Sequence, residues 1–279
     1  MKTKRNSILC PNCRKLISLD EEICPYCGLV RPGMHNTTGK IRSLLFMFNP
    51  VSTILYINIA FFALSLLLDP AGIFRAGGPL SFLSPSNQSL LLLGASGTIP
   101  VFQLHRYWSI VSASFLHGGI LHIVFNMLAL HQLAPFVLRE FGLHRFMNLY
   151  ILSGIAGFAV SVAAGVPLTI GASASVCGLI GAIIYFGKSR GGYYGEAIFK
   201  QAMVWVIGLA VFGFIFSGIN NWAHGGGLLT GVLIAYATGY NDQRLESAWS
   251  KILAYGCMLL TAVILLWAAV SAIFYRLAV

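Results

Sequence analysis

The residues of this sequence that could do chemistry are a serine, three histidines and an asparagine, all set in apolar runs. Ser173 begins one run, His224 begins another, and His117, His122 and Asn126 lie in a third. A serine hydroxyl attacks a carbonyl only when a base takes its proton, and histidines are the candidate bases here. Imidazoles and amides are costly inside an apolar helix, so together they indicate a functional site.

His224 is the better candidate base for Ser173. Gly227 and Gly231 follow it at four-residue spacing, and Gly178 follows Ser173 on the other run. Glycines leave no side chain to hold two helices apart, so the two runs can approach closely. No aspartate or glutamate is expected at this depth, so the predicted unit is a dyad rather than a triad.

His122 and Asn126 are candidate hydrogen-bond donors for an oxyanion. They are four residues apart, which places them on one helical face, and both side chains can donate. The backbone N–H of Ser173, near a helix start, would add a third donor. His117 precedes His122 by five residues and points elsewhere, so we expect it to be a structural hydrogen bonder near the site that stabilises the external loop between the first two spans.

Two further serines are poorer candidates for the nucleophile. Ser175 is two residues after Ser173, about 200° around a helix, so only one of the two can face His224. Ser96 lies in Gly94-Ala95-Ser96-Gly97, but Pro100 follows closely and no membrane helix is expected to begin there.

Other interpretations of these polar residues are possible. A single membrane histidine is often a packing residue bonded to a carbonyl, although three at one depth with an asparagine and a serine make this less plausible. Histidines also bind zinc or copper, but the set lacks a carboxylate or an HExxH motif. A histidine-lined transporter is a third interpretation.

The composition predicts an integral membrane protein that crosses the bilayer several times. Of the 279 residues, 57% are hydrophobic and 9% are charged, too little charge to solvate a globule of this length. The formal charge of +10 lies in short loops beside apolar runs, which argues against nucleic acid as a partner. The apolar runs predict seven spans, at Leu44–Leu68, Trp108–Leu133, Phe146–Ala164, Thr169–Tyr185, Ala202–Ser217, Trp222–Tyr240 and Ile252–Phe274.

Charge placement predicts the orientation. If the amino terminus is inside, all but three of the 18 lysines and arginines are internal, and only Arg75, Arg106 and Arg276 are external. The amino terminus is therefore expected in the cytoplasm and the carboxyl terminus outside. The second, fourth and sixth spans then run inward from outside, which places Ser173 and the histidines at one depth in the outer half.

Four cysteines near the amino terminus predict a small metal-binding domain. Cys10 and Cys13 form one CxxC pair and Cys24 and Cys27 another, with Gly28 allowing a tight turn. Four thiolates complete a tetrahedral shell, so the pattern predicts a structural Zn²⁺ in a ribbon over residues 1–30. Two disulfides are the alternative, and they would need an oxidising compartment. Residues 31–43 would be a linker and 44–279 the membrane domain.

At these residues the chain resembles the rhomboid family of intramembrane serine proteases. His117, His122 and Asn126 match the family's HxxxxHxxxN segment, Ser173 falls in a GxSG-type motif, and Ala223-His224 with Gly227 and Gly231 matches AHxxGxxxG. The motif around Ser173 differs from the family's at one position, where Ala174 replaces the usual glycine. Cys177 also stands where a bulky aromatic residue usually packs on the histidine.

The resemblance implies an all-α fold: a six-helix bundle over about residues 50–240, with the additional seventh span at about 252–274. It implies that Ser173 is the nucleophile, His224 the base, and His122 and Asn126 the oxyanion donors, with no cofactor for catalysis. Substrates would be transmembrane proteins in a lipid bilayer, such as a bacterial plasma membrane, and the ribbon could recruit a cytosolic partner. The alternative is a catalytically inactive rhomboid-like protein that binds membrane clients.

Overall fold

The computed structural model describes residues 7–10, 12–29, 32, 49–70, 83–216 and 218–278. The chain divides into two compact units, Met1–Ser52 and Thr53–Val279. Apart from Pro32, the predicted linker at 31–43 lies outside the described residues, as do residues 44–48 of the first predicted span.

The amino-terminal unit contains a two-stranded hairpin. Strand β1 (Ser7–Leu9) pairs antiparallel with β2 (Leu16–Ser18), and Ile8 lies opposite Ile17. Its small core contains Ile17 and the buried Cys10 and Cys24. So few apolar side chains cannot stabilise a fold of this size alone, which fits the prediction of a metal-dependent ribbon.

The second unit is mostly helical in its described residues. The helices are α1 (Pro50–Leu68), α2 (Asn87–Leu92), α3 (Ser109–Ser112), α4 (Ile120–Phe141), α5 (Leu143–Ala163), α6 (Ser173–Arg190), α7 (Gly192–Ile215), α8 (Asn221–Thr238) and α9 (Ala248–Ala278). The site residues lie at the starts of α4, α6 and α8, which pack together with α5 and α7.

Five of these helices are long and apolar enough to cross a membrane: α1, α4, α5, α7 and α9. The helices at the other two predicted spans, α6 and α8, are less apolar and are not among these five. Serine and glycines at the start of α6, with Lys188 and Arg190 at its end, lower its apolarity. Most of α6 is buried inside the bundle, so other helices rather than lipid surround it.

The predicted second span, Trp108–Leu133, begins too early. The short α3 is followed by a 3₁₀ turn, Ala113–Phe115, and α4 begins only at Ile120. Gly118 and Gly119 separate the two segments, since glycine lowers the helical propensity of the chain at that point. His117 therefore precedes the helix, whereas His122 and Asn126 lie on its first two turns.

Close backbone contact joins α6 to α8, as the glycine pattern predicted. A Cβ on Gly231 would overlap the carbonyl group of Gly178, and a Cβ on Gly227 would overlap that of Ala174. A Cβ on Gly181 would likewise overlap the carbonyl of Leu228. These contacts confirm that small residues bring the two helices together, and so fix the spacing between Ser173 and His224.

The segment between α8 and α9 is hydrogen-bonded to the start of α5, at the end of the bundle away from Ser173. The guanidinium of the buried Arg145, on α5, donates to the carbonyl oxygens of Arg244 and Leu245 at 2.7 and 2.9 Å. The carboxylate of Glu246 accepts from the backbone N–H groups of His144 and Arg145, at the first turn of α5. The connection to the seventh long helix is therefore built into the core of the bundle.

Candidate active site

Ser173 and His224 form a hydrogen-bonded pair. Ser173 is the first residue of α6 and His224 is the fourth of α8, and Oγ lies 2.8 Å from Nε2. The other ring nitrogen of His224, Nδ1, is buried and has no partner among the described residues. The pair thus has the nucleophile and base arrangement of acyl-transfer enzymes without a third, orienting member.

His122 lies beside Ser173 because Gly171 leaves room for it. A Cβ on Gly171 would lie only 2.7 Å from Nε2 of His122, and the residue has φ +126°, which favours glycine. The N–H of Gly118 donates to Nδ1 of His122 at 3.3 Å. Since Nδ1 accepts, neutral His122 carries its proton on Nε2, the nitrogen next to Gly171. His122 can therefore donate a hydrogen bond near Ser173.

Asn126 is buried on the same face of α4. Its side-chain Nδ2 donates to the backbone carbonyl of His122 at 2.9 Å. One amide hydrogen is thus used to orient the side chain, and the second remains for an oxyanion.

His117 is fully buried against the ring of His122, with the ring centroids 5.1 Å apart in an edge-on arrangement. Neither of its ring nitrogens has a hydrogen-bond partner in the described part of the chain. The predicted hydrogen bonds from His117 to the external loop are therefore not found there, and its contact with His122 is through ring packing.

Ser175 faces away from His224. It is fully buried, its Oγ has no partner among the described residues, and it points at Gly154 on α5. Ala174, the departure from the usual motif, is also fully buried, and its Cβ lies 2.8 Å from where a Cβ on Gly157 would be. Gly157 thus provides the space for the extra methyl group, without displacing Ser173.

Ser96 has a structural position. Its backbone pairs with Thr169, with the N–H of each residue donating to the carbonyl of the other at 3.1 and 2.7 Å. Its hydroxyl accepts from Ser109 and is fully buried. The bridge anchors the segment that leads into Ser173, which fits the prediction that Ser96 is not a nucleophile.

Asn220 is a site residue that the sequence analysis missed. Its side chain accepts from the N–H of Ala223 and donates to Ser161 and Thr169 at 2.5 and 2.8 Å. It therefore ties the start of α8, and with it His224, to α5 and to the segment before Ser173. An asparagine just before an apolar run is a typical helix cap, and this signal could have identified it.

Only the four ribbon cysteines form a group that could hold a metal ion in the part of the chain that the structure describes. The histidines around Ser173 are not such a group, so the alternative of a metal site there has no support in these contacts. The ribbon sulfurs all lie within 4.8 Å of one another.

The ribbon cysteines fit a tetrahedral ion. Sγ of Cys10 is 3.6 Å from that of Cys27, and Sγ of Cys13 is 3.7 Å from that of Cys24. A tetrahedral zinc with Zn–S bonds of ~2.3 Å separates its sulfurs by ~3.8 Å, whereas a disulfide is ~2.05 Å long. The four cysteines are free thiols, so the disulfide alternative is not what the structure shows.

Two matching turns hold these sulfurs. The N–H of Arg14 donates to the carbonyl of Cys10, and that of Gly28 donates to the carbonyl of Cys24, both at 2.9 Å. Arg14 and Gly28 have φ of 57° and 71°, so the predicted tight turn at Gly28 is confirmed. Burial raises the pKa of Cys13 to about 12, whereas hydrogen bonds from Asn12 and from the backbone at Leu29 outweigh burial at Cys27 and lower its pKa to about 6.

Together these features define a helical, multi-pass integral membrane protein whose helices hold a serine and a histidine in hydrogen-bond contact. Comparison with known proteins places it further: the Rhomboid domain family model matches residues 104–241, which contain the whole site. Residues 104–241 thus match a rhomboid domain.

Several named proteins are similar to this chain. The chain is 32% identical to Rhomboid protease GluP of Bacillus subtilis, over 70% of this chain and 36% of the relative. It is 30% identical to RHOMBOID-like protein 1 of Arabidopsis thaliana, over 80% of this chain and 65% of the relative. It is 29% identical to Rhomboid-like protease 3 of Toxoplasma gondii, over 65% of this chain and 70% of the relative. The chain thus spans about a third of the length of the Bacillus protein and just under two thirds of the length of the Arabidopsis protein.

Proposed function

We propose that this protein is an intramembrane serine protease that hydrolyses a peptide bond in or near a transmembrane segment of another membrane protein. The observation that carries the proposal is the 2.8 Å contact between Oγ of Ser173 and Nε2 of His224, at the starts of two packed helices. Two of the relatives described above are named as proteases, which supports the same conclusion.

In the proposed mechanism His224 acts as base and then as acid. Nε2 takes the hydroxyl proton of Ser173 while Oγ bonds to the carbonyl carbon of the scissile peptide. The tetrahedral intermediate then collapses, the C–N bond breaks, and His224 returns the proton to the leaving nitrogen. Water, deprotonated by the same nitrogen, hydrolyses the acyl-enzyme and releases the second product.

The negative oxygen of the tetrahedral intermediate would be stabilised by three donors. They are Nε2–H of His122, the free amide hydrogen of Asn126 and the backbone N–H of Ser173. The last is available because the first N–H groups of a helix have no intrahelical partner. Loss of a single such donor costs ~10²–10³ in turnover in a well-studied serine protease.

The orientation follows from the charge distribution, and we propose that the amino terminus is cytoplasmic and the carboxyl terminus external. The site then opens toward the outer side of a membrane such as a bacterial plasma membrane. For the ribbon, the spacing of the four sulfurs and the soft thiolate set support Zn²⁺ as the ion.

Ser173→Ala and Ser175→Ala are a matched pair that tests the proposal. We expect Ser173→Ala to abolish both cleavage of a transmembrane substrate and labelling by a fluorophosphonate. Ser175→Ala should keep most of both, because its hydroxyl faces Gly154. Reversed outcomes would show that the register of the site is wrong. If the wild-type protein neither cleaves nor labels, it would be an inactive client-binding protein instead.

A further inference from the structure

The hairpin of the ribbon carries two leucines side by side on its outer face. Leu9 of β1 and Leu16 of β2 are cross-strand partners, and they are 63% and 64% exposed. Directly opposite residues of an antiparallel pair share a face, with their Cβ atoms ~5 Å apart. The other face bears Ile8 and the buried Ile17, which pack with the cysteines. The hairpin thus has one apolar face toward its own core and a second one toward its surroundings.

Charged residues are divided between the two ends of this hairpin. The turn that joins the strands ends in Arg14 and Lys15, which are both exposed and directly precede Leu16. The N–H of Cys10 donates to the carbonyl of Lys15 at 2.9 Å, which closes the turn and fixes the backbone that carries both cations. The acidic residues, 20–22, follow β2 at its other end. Positive charge therefore borders the exposed leucines, and negative charge lies at the far end of the hairpin.

The linker adds positive charge and limits the distance between the ribbon and the membrane. Residues 31–49 include Arg31, Lys40 and Arg42 and no aspartate or glutamate. They lead into α1, one of the helices that are apolar enough to cross a membrane. At ~3.5 Å per residue, this stretch reaches at most ~65 Å. A domain on such a tether meets the bilayer surface at a high effective concentration.

Size and charge favour a lipid surface over a protein as the occupant of this face. A specific protein interface buries ~800 Å² on each partner and needs a complementary shape, and two leucine side chains supply only a fraction of that area. The interface of a bilayer accepts apolar side chains without a shaped pocket, and binding is strengthened by lysine and arginine when the lipids are anionic. The combination of Leu9 and Leu16 with Arg14 and Lys15 has both properties.

We propose that the exposed hairpin face of the ribbon docks on the surface of the anionic lipid bilayer that contains α1. Leu9 and Leu16 enter the interfacial layer of the lipids, and Arg14 and Lys15 contact lipid phosphates. The acidic residues, 20–22, lie at the opposite end of the hairpin and need not approach the anionic surface. This inference concerns the ribbon and does not depend on the proposed protease function.

Quenching by brominated lipids measures the docking in the full-length protein. A fluorescent amino acid replaces Ser7, which is exposed and two residues before Leu9, and so lies on the same face of β1. The protein is reconstituted in vesicles of phosphatidylcholine alone or with roughly one third phosphatidylglycerol, brominated on the acyl chains. We expect strong quenching in the anionic vesicles and little in the neutral ones. Salt at ~1 M should relieve the quenching, because it screens the charges.

Two double variants separate the apolar contribution from the charged one. Leu9→Ser with Leu16→Ser should lower the ratio of docked to free ribbon at least ~10-fold. Arg14→Gln with Lys15→Gln should lower it ~10–30-fold at low salt, since each cation near an anionic surface contributes ~5-fold. The control Leu19→Ser removes another exposed leucine, next to the acidic residues, and should keep the wild-type quenching. The charge variant retains every leucine, so it tests the proposal even if the leucine variant no longer binds its ion.

A wild-type ribbon that is not quenched in anionic vesicles would overturn the proposal, as would unchanged quenching in both double variants. An equal loss in Leu19→Ser would also overturn it, because apolar content in general, rather than this face, would then be responsible. Crosslinks to a second copy or to another protein that depend on Leu9 and Leu16, without lipid quenching, would assign the face to a protein interface instead. The measurement involves no cleavage, so its result is separate from the test of the protease.

Discussion

Replacing Gly231 with alanine tests whether the distance between α6 and α8 controls the site. The added Cβ would lie 2.6 Å from the carbonyl carbon of Gly178 and 2.7 Å from its Cα, and closer still to the oxygen. Ordinary contacts begin at about 3.4 Å. Both partners are backbone atoms in a tightly packed interface and cannot rotate away, so the helices must separate by on the order of 1 Å.

This separation acts close to the reacting atoms. Gly178 is five residues from Ser173 and Gly231 seven from His224, so both contacts lie within two turns of the pair. An increase of ~1 Å would move Oγ and Nε2 from 2.8 Å to beyond hydrogen-bond range. A misplacement of this size can cost ~10²-fold in rate. Overpacking should also lower the free energy of unfolding by ~1–3 kcal/mol.

The assay compares kcat/KM, fluorophosphonate labelling and thermal unfolding in the same detergent. Gly256→Ala is the control, since that helical glycine on α9 has open space where its Cβ would be, and it should keep the wild-type rate. Wild-type turnover in a folded Gly231→Ala protein would refute the reasoning. An equal loss in Gly256→Ala would show that glycine replacement, rather than helix distance, is responsible.

Two further predictions concern Glu246, in the segment between α8 and α9, and the ribbon residue Cys13. Burial alone would raise the pKa of Glu246, but its bond with His144 and the nearby Arg145 hold it below the ordinary value of 4.5. Its stabilisation should therefore be present above about pH 4.5 and be lost below it, and Glu246→Gln should cost ~1–2 kcal/mol at pH 7 but little in acid. Unfolding measured against pH checks this, and equal stabilities at pH 7 would contradict it. Cys13→Ser should reduce bound zinc from one ion to none, measured by elemental analysis, without changing fluorophosphonate labelling; a loss of labelling would contradict the purely structural role.

The sequence was sufficient to predict contacts that depend on residue type and spacing. Gly178, Gly227 and Gly231 predicted a close approach of α6 and α8, because only a residue without a side chain permits backbone contact. The CxxC pairs likewise predicted the cysteine cluster, since the ligand spacing of a tetrahedral site is local. The helix boundary before His122 was less accurate, because apolar content alone does not reveal a break at two glycines.

The role of Asn220 could not be predicted in full, because its partners Ser161 and Thr169 are distant in sequence. The same is true of the bonds from Arg145 to the segment before α9. Both residues are polar groups whose partners are backbone or hydroxyl oxygens, and neither residue type identifies such a partner. Long-range polar contacts of this kind follow from the packing of the helices rather than from a local pattern.

The helices α6 and α8 are less apolar than the other long helices, and the reason bears on the site. A serine and a histidine can react in a bilayer only if their helices begin with polar and small residues, and these lower the apolarity that would hold each helix in lipid. For α6, the surrounding helices supply the apolar environment instead. Hydrogen bonds such as those of Asn220 and the backbone pairing of Ser96 then satisfy polar groups near the helix starts. The residues that make the chemistry possible are therefore also the ones that make α6 and α8 dependent on the rest of the bundle.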